Sequence, residues 1–148
     1  MNTILAVKGG AGQGKTNSVR AFANLVLFTF PNLVPVHPVP AVVPATGDFR
    51  LVVEINGVRL GVESQGDPNT GLATRLLDLV TNLRCTVIIC TCRTRGDTEQ
   101  AIVQLAINHA FQNIWTAPYW IRDRMLHPVV NEVKGRHILD LLQTLGRI

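Results

Sequence analysis

The sequence predicts an α/β fold: three layers, with helices on both faces of a mainly parallel sheet that includes one antiparallel hairpin strand. Three observations carry this. Short apolar runs alternate with segments of helical periodicity along the chain. An Asn-Gly pair separates two strand-like runs, the strongest short-range hairpin signal. The first apolar run passes through a glycine-rich stretch straight into a helical one. A chain of 148 residues, 47% hydrophobic and 16% charged, suits a single folded domain over 1–148. The net charge of +4 suits phosphate-bearing ligands, but without a clustered patch it does not indicate nucleic acid.

The elements follow in order. Ile4 to Val7 form a short buried strand. After the glycines, Val19, Phe22, Ala23, Val26 and Leu27 recur at spacings of three and four, which predicts a helix. The next segment, PNLVPVHPVPAVVPATGD, holds five of the eight prolines. Proline fixes φ and removes a donor, so this is an extended connection and neither helix nor central strand. FRLVVEI and VRLGVES flank Asn56-Gly57, where a type I′ turn needs positive φ at both positions. In SQGDPNTG, Asp67 is placed as an N-cap with Pro68 at the first helical position, and Leu72, Leu76, Val80 and Leu83 make the stripe of the following helix. CTVIICTC is a buried strand ending in the loop RTRG. Asp97 caps a third helix, with Gln100 at the capping-box position and Ala101, Leu105 and Ala106 inward. NIWTAPYWI is a last strand, interrupted by Pro118. A closing helix over about 128–145 offers Val130, Val133, Ile138, Leu141, Leu142 and Leu145.

Chemistry concentrates in the first loop. Gly9, four residues, then Gly14-Lys15-Thr16 fits the pattern G-x-x-x-x-G-K-[ST] without departure. Its glycines allow backbone N–H groups to turn inward as an anion nest, and the helix that follows presents its N-terminus to the same anion. Gly9, Gly10, Ala11, Gly12, Gln13, Gly14, Lys15, Thr16 and Asn17 are therefore the expected phosphate-binding residues. Lys15, expected exposed on the loop, reaches the outer phosphates, and the Thr16 hydroxyl is a ligand for Mg²⁺. In a parallel sheet, ligands bind beyond the carboxyl ends of the strands. The loops 8–16, 64–67, 92–96 and the stretch after 120 are expected to meet there.

Cys85, Cys90 and Cys92 lack the C-x-x-C spacing and are expected to be buried reduced thiols. His37, His109, His127 and His137 form no pair at helical spacing, so a metal held by protein side chains alone is not expected. No secretory pattern opens the chain, and the longest apolar stretch, AFANLVLFTF, is too short to span a bilayer. A cytoplasmic protein with no membrane association is the expectation.

KGGAGQGKT resembles the Walker A motif of the P-loop NTPases. The resemblance extends over the chain in element order and over eight residues in strict pattern. A hairpin directly after the first helix resembles the GTPase–kinase arm, where the second hairpin strand ends in Asp-x-x-Gly; here Glu63-Ser64-Gln65-Gly66 stands in that place. The Asn-Lys-x-Asp that reads guanine in GTPases is replaced by Thr91-Cys92-Arg93-Thr94, which points to ATP. GVESQGD followed by a strand ending CRTRG is similar to small stand-alone ATP-binding proteins of prokaryotes and their mobile elements. The resemblance implies Mg²⁺ and ATP, or another nucleoside triphosphate, as ligands. It implies hydrolysis or phosphoryl transfer as the activity.

A carboxylate beside Thr16 would complete a magnesium site. Glu63 and Asp67 are the candidates, with Glu63 preferred because a strand-end carboxylate is costly to bury and Asp67 already has a capping role. Glu54 is the lesser option and faces solvent or Arg59. Arg93 and Arg95, after a central strand, are the candidate cations for the transferring phosphate, while Arg122 and Arg124 resemble kinase lid arginines; solvated surface charge accounts equally for either pair. Three activities remain open: an Mg²⁺-dependent ATPase or switch whose segment 31–47, with Thr46, senses the γ-phosphate; a small-molecule or nucleotide kinase; and a non-catalytic nucleotide-binding module acting through a protein partner.

Overall fold

The computed structural model describes residues 1–148 as six strands, four α-helices and one 3-10 turn. In chain order these are β1 (Thr3–Lys8), α1 (Lys15–Thr29), β2 (Val34–His37), β3 (Arg50–Ile55), β4 (Val58–Glu63), α2 (Leu72–Thr81), β5 (Val87–Cys92), α3 (Thr98–His109), β6 (Gln112–Thr116) and α4 (His127–Thr144), with the 3-10 turn at Arg124–Leu126. One sheet runs β2-β3-β4-β5-β1-β6. β3 is antiparallel to both β2 and β4 and all other pairs are parallel, so β3 alone runs against the rest.

The period of two along β1 separates two cores. Leu5 and Val7 face α1 and α4, packing with Val19, Phe22, Val26, Ile138 and Leu142. Ile4 and Ala6 face α2 and α3, packing with Leu72, Leu76, Leu79 and Ile102. Cys85, Cys90 and Cys92 join this second core as free buried thiols. Burial pushes the Cys85 thiol up to about 12 and that of Cys92 up to about 11. The hairpin turn has φ of 49° at Asn56 and 83° at Gly57, as the Asn-Gly pair requires. No helix is long and apolar enough to cross a membrane.

Four local expectations are corrected. The proline-rich segment contains a strand, β2, with Pro35 inside it; β2 lies at the sheet edge, where a missing donor costs no ladder bond. α2 begins at Leu72 after Gly71 in the left-handed region, so Asp67 does not cap it. Asp97 precedes α3 but its side chain makes no capping bond, and Ile102 rather than Ala101 is the fully buried residue of that turn. β6 stops at Thr116, two residues before the proline that was expected to interrupt it.

Candidate functional site

At the carboxyl end of the parallel strands, the β1–α1, β4–α2 and β5–α3 loops meet the segment after β6 around a cavity of about 360 Å³. Residues Ala11 to Asn17 form one wall. Gly12 and Gly14 have φ of 71° and 84°, the left-handed region that favours glycine. At Gly14 space is also short, since a Cβ there would lie 2.7 Å from Asn131 Oδ1 on α4. Gly10 N–H donates to Gln13 Oε1 at 2.9 Å, which ties the loop across its own turn. Gly9 and Gly10 sit behind this wall and do not line the cavity.

Lys15 is the first residue of α1 and is buried, contrary to the expectation of an exposed loop side chain. Its ammonium donates to the Gly10 carbonyl at 2.8 Å. Burial, reinforced by the Arg93 charge, lowers its pKa from the ordinary lysine value. A cation held this way gains when an anion enters beside it. Thr16 and Asn17 line the same wall. Arg20, one turn further on, donates to Asn17 Oδ1 at 2.5 Å, to Pro44 O at 2.8 Å and to the Gly47 carbonyl, fastening the proline-rich segment to α1.

The opposite wall is built from Asp48, Ser64, Gly66, Asp67, Thr91 and Arg93. Thr91 Oγ1 donates to Ser64 O at 2.6 Å, which seats the β4–α2 loop on β5. Ser64 Oγ accepts from Phe49 N–H at 2.7 Å and donates to Asp48 Oδ1 at 3.1 Å, which orients that carboxylate. Arg93 Nε donates to Asp67 Oδ1 at 2.8 Å, so a cation and a carboxylate face Lys15 together.

Glu63, the preferred carboxylate of the sequence reading, lies elsewhere. It is buried and does not line the cavity; its Oε2 accepts from Arg50 Nε at 2.8 Å, and its Oε1 pairs with Arg75 Nε at 3.3 Å. The physical reason is the sheet order: β5 stands between β4 and β1, and two guanidinium groups meet the charge that the strand end buries. Arg75 also donates to the Gln65 and Thr70 carbonyls, so the pair braces the loop that carries Asp67. Glu63→Gln is expected to lower stability by about 1–3 kcal/mol, because the partly buried Arg50 and Arg75 lose the buried carboxylate between them and only Arg50 keeps a second carboxylate partner, Asp78. Thermal unfolding reads this directly, and an unchanged midpoint would contradict the bracing role.

Arg95, Arg122 and Arg124 are exposed and off the cavity, as is Thr46. Glu54 pairs with Arg59 at 3.0 Å. Asp48, Ser64, Thr91, Tyr119, Trp120, His127 and Asn131 line the cavity although sequence reasoning assigned them no role. For Asp48 a signal existed: the register Ile55↔Val58, counted back to Arg50↔Glu63 and two residues further, puts it opposite Gln65.

No three His, Cys, Asp or Glu side chains cluster as a metal cage. Among the residues that line the cavity, Thr16, Asp48 and Asp67 carry oxygen donors. Such a set fits Mg²⁺, which keeps several waters and takes phosphate oxygens rather than a full protein cage. No protein-family model, curated protein or solved structure matches this chain.

Proposed function

We propose that this chain is a P-loop-type NTPase domain that binds a nucleoside triphosphate, with ATP as the ligand, together with Mg²⁺, and hydrolyses it. One observation carries the reading: the motif residues Ala11–Thr16, with Lys15, form one wall of a cavity whose other wall offers Arg93 and two carboxylates. The left-handed glycines let the loop's N–H groups turn toward the phosphates, and α1 presents its N-terminal dipole to the same charge. Lys15 and Arg93 match the charge on the transferring phosphoryl group from two sides. Thr16 with Asp67 or Asp48 would hold a magnesium ion, which would supply charge neutralisation to the phosphates. Asp67 or Asp48 orients the attacking water and takes its proton as its oxygen bonds to the γ-phosphorus and the bridging P–O bond breaks.

Hydrolysis is favoured over transfer to an acceptor because Arg122 and Arg124, the lid-like arginines that support a kinase, lie off the cavity, as does Arg95; of the residues that could hold an acceptor, only Arg93 and Asp67 line it, and they pair with each other. Mixing the protein with Mg²⁺ and ATP should release phosphate without added acceptor. Release only on adding an acceptor would establish a kinase, and binding without release a nucleotide-binding module.

Thr16→Ala removes the one hydroxyl that faces the cavity from the motif. Magnesium should then strengthen triphosphate binding about tenfold less than in the unaltered protein, while binding without metal persists. A titration of ATP with and without Mg²⁺ checks this; an intact magnesium effect would remove Thr16 from the metal site.

A further inference from the structure

The cavity has two chemically different ends. One is the glycine-rich wall with Lys15, facing Arg93. The other is made by Tyr119 and Trp120, from the segment after β6, with His127 and Val130 of α4. Nothing in a phosphate site calls for aromatic side chains. Trp120 is 60% exposed, forms no hydrogen bond and packs on no other ring. An indole left this open on a cavity wall offers apolar surface that no other ring of the protein covers.

Its neighbours are fixed. Tyr119 Oη bonds His137 Nδ1 at 2.7 Å, its ring meets that imidazole edge-on at 5.6 Å, and Lys134 Nζ lies 4.5 Å from its centroid. His127 Nε2 bonds the Ile121 carbonyl at 2.7 Å, which anchors the segment just beyond Trp120 to the start of α4. The carbonyl accepts, so Nε2 carries the proton. Aromatic side chains on an anchored segment make a preorganised stacking surface, and a heteroaromatic base is the ligand part that such a surface recognises.

We propose that Tyr119 and Trp120 form the base-stacking platform of the same cavity, with Trp120 supplying the open face, so that the ligand is a nucleotide rather than an inorganic polyphosphate. The proposal rests on the triphosphate reading above. Selectivity for having a base is separated here from affinity for phosphate, because the two ends belong to different segments of the chain.

The test compares binding of Mg-ATP and Mg-tripolyphosphate to the unaltered protein, Trp120→Ala, Trp120→Phe and Lys15→Ala. The unaltered protein should bind ATP at least about tenfold more tightly than tripolyphosphate, the gain expected of one stacked base. Trp120→Ala should lose about tenfold for ATP and stay within twofold for tripolyphosphate, whereas Trp120→Phe keeps most of the preference. The exposed position of Trp120 leaves the fold intact, which the unfolding midpoint verifies. Equal affinity for the two ligands in the unaltered protein, ATP binding untouched by Trp120→Ala, or equal weakening of both ligands would each overturn the platform. Tripolyphosphate binding that depends on Lys15 would still uphold the phosphate site in those cases. An unaltered protein that binds neither ligand overturns both readings.

Discussion

Lys15→Ala is expected to lower triphosphate affinity and phosphate release by a factor of about 100 or more. Its ammonium is buried against the cavity, held by a single bond to the Gly10 carbonyl, and depressed in pKa by burial and by Arg93. A triphosphate would bring several negative oxygens to a cation that has shed much of its water, where charge matching is strongest. The cost to the fold is small by comparison. Truncation frees one carbonyl and opens a small space, about 1 kcal/mol in all. Lys15→Arg should rescue little, because a planar guanidinium does not fit the space of a compact ammonium. Calorimetric titration with Mg-ATP on the folded variants decides the matter. Unaltered affinity and turnover in Lys15→Ala would overturn the proposed function.

Gly66→Ala is expected to have the largest effect on structure, destabilising by about 3 kcal/mol or more. A Cβ at Gly66 would stand 1.9 Å from the Thr91 carbonyl oxygen and 2.5 Å from Thr91 Oγ1. The first of these is main chain at the end of β5 and cannot rotate away. The loop would have to leave β5, breaking the Thr91–Ser64 bond and moving Ser64 and Asp67 off the cavity wall. A fall in melting temperature of about 6–12 °C follows for a chain of this size, together with loss of phosphate release. Gly12→Ala is the matched control. Nothing lies within 4 Å of its Cβ, and only the φ of 71° opposes it, a cost of about 1 kcal/mol. Equal midpoints for the two variants would show that the loop is not seated on β5 in this way.

Much of this architecture was legible in local pattern. Buried strands such as VIICTC carry apolar side chains on both faces, and Asn56-Gly57 admits the positive φ of a two-residue hairpin turn. β2 was missed because proline signals disfavour strand, and only an edge position removes the objection. Asp-Pro is a good helix start, which makes Asp67 both a cap and a candidate carboxylate in sequence; Gly71 starts the helix instead, and that leaves Asp67 for Arg93. Within the site, the motif loop and Arg93 were legible and the opposite wall was only partly so. Ser64, Thr91 and Asn131 are ordinary residues in sequence, and they acquire a place when three elements far apart in the chain close around Gly14 and Gly66.

Two kinds of property therefore divide between sequence and structure. By itself the sequence determined the α/β alternation, the hairpin and the glycine-rich turn between β1 and α1, because each depends on side-chain period or backbone φ within a few neighbouring residues. The tertiary structure alone decided which carboxylate faces the cavity. With β5 set between β4 and β1, Glu63 is sealed between Arg50 and Arg75, while Asp67 and Asp48 come forward. Burial and charge pairing depend on what the rest of the chain brings alongside, and no local pattern records that.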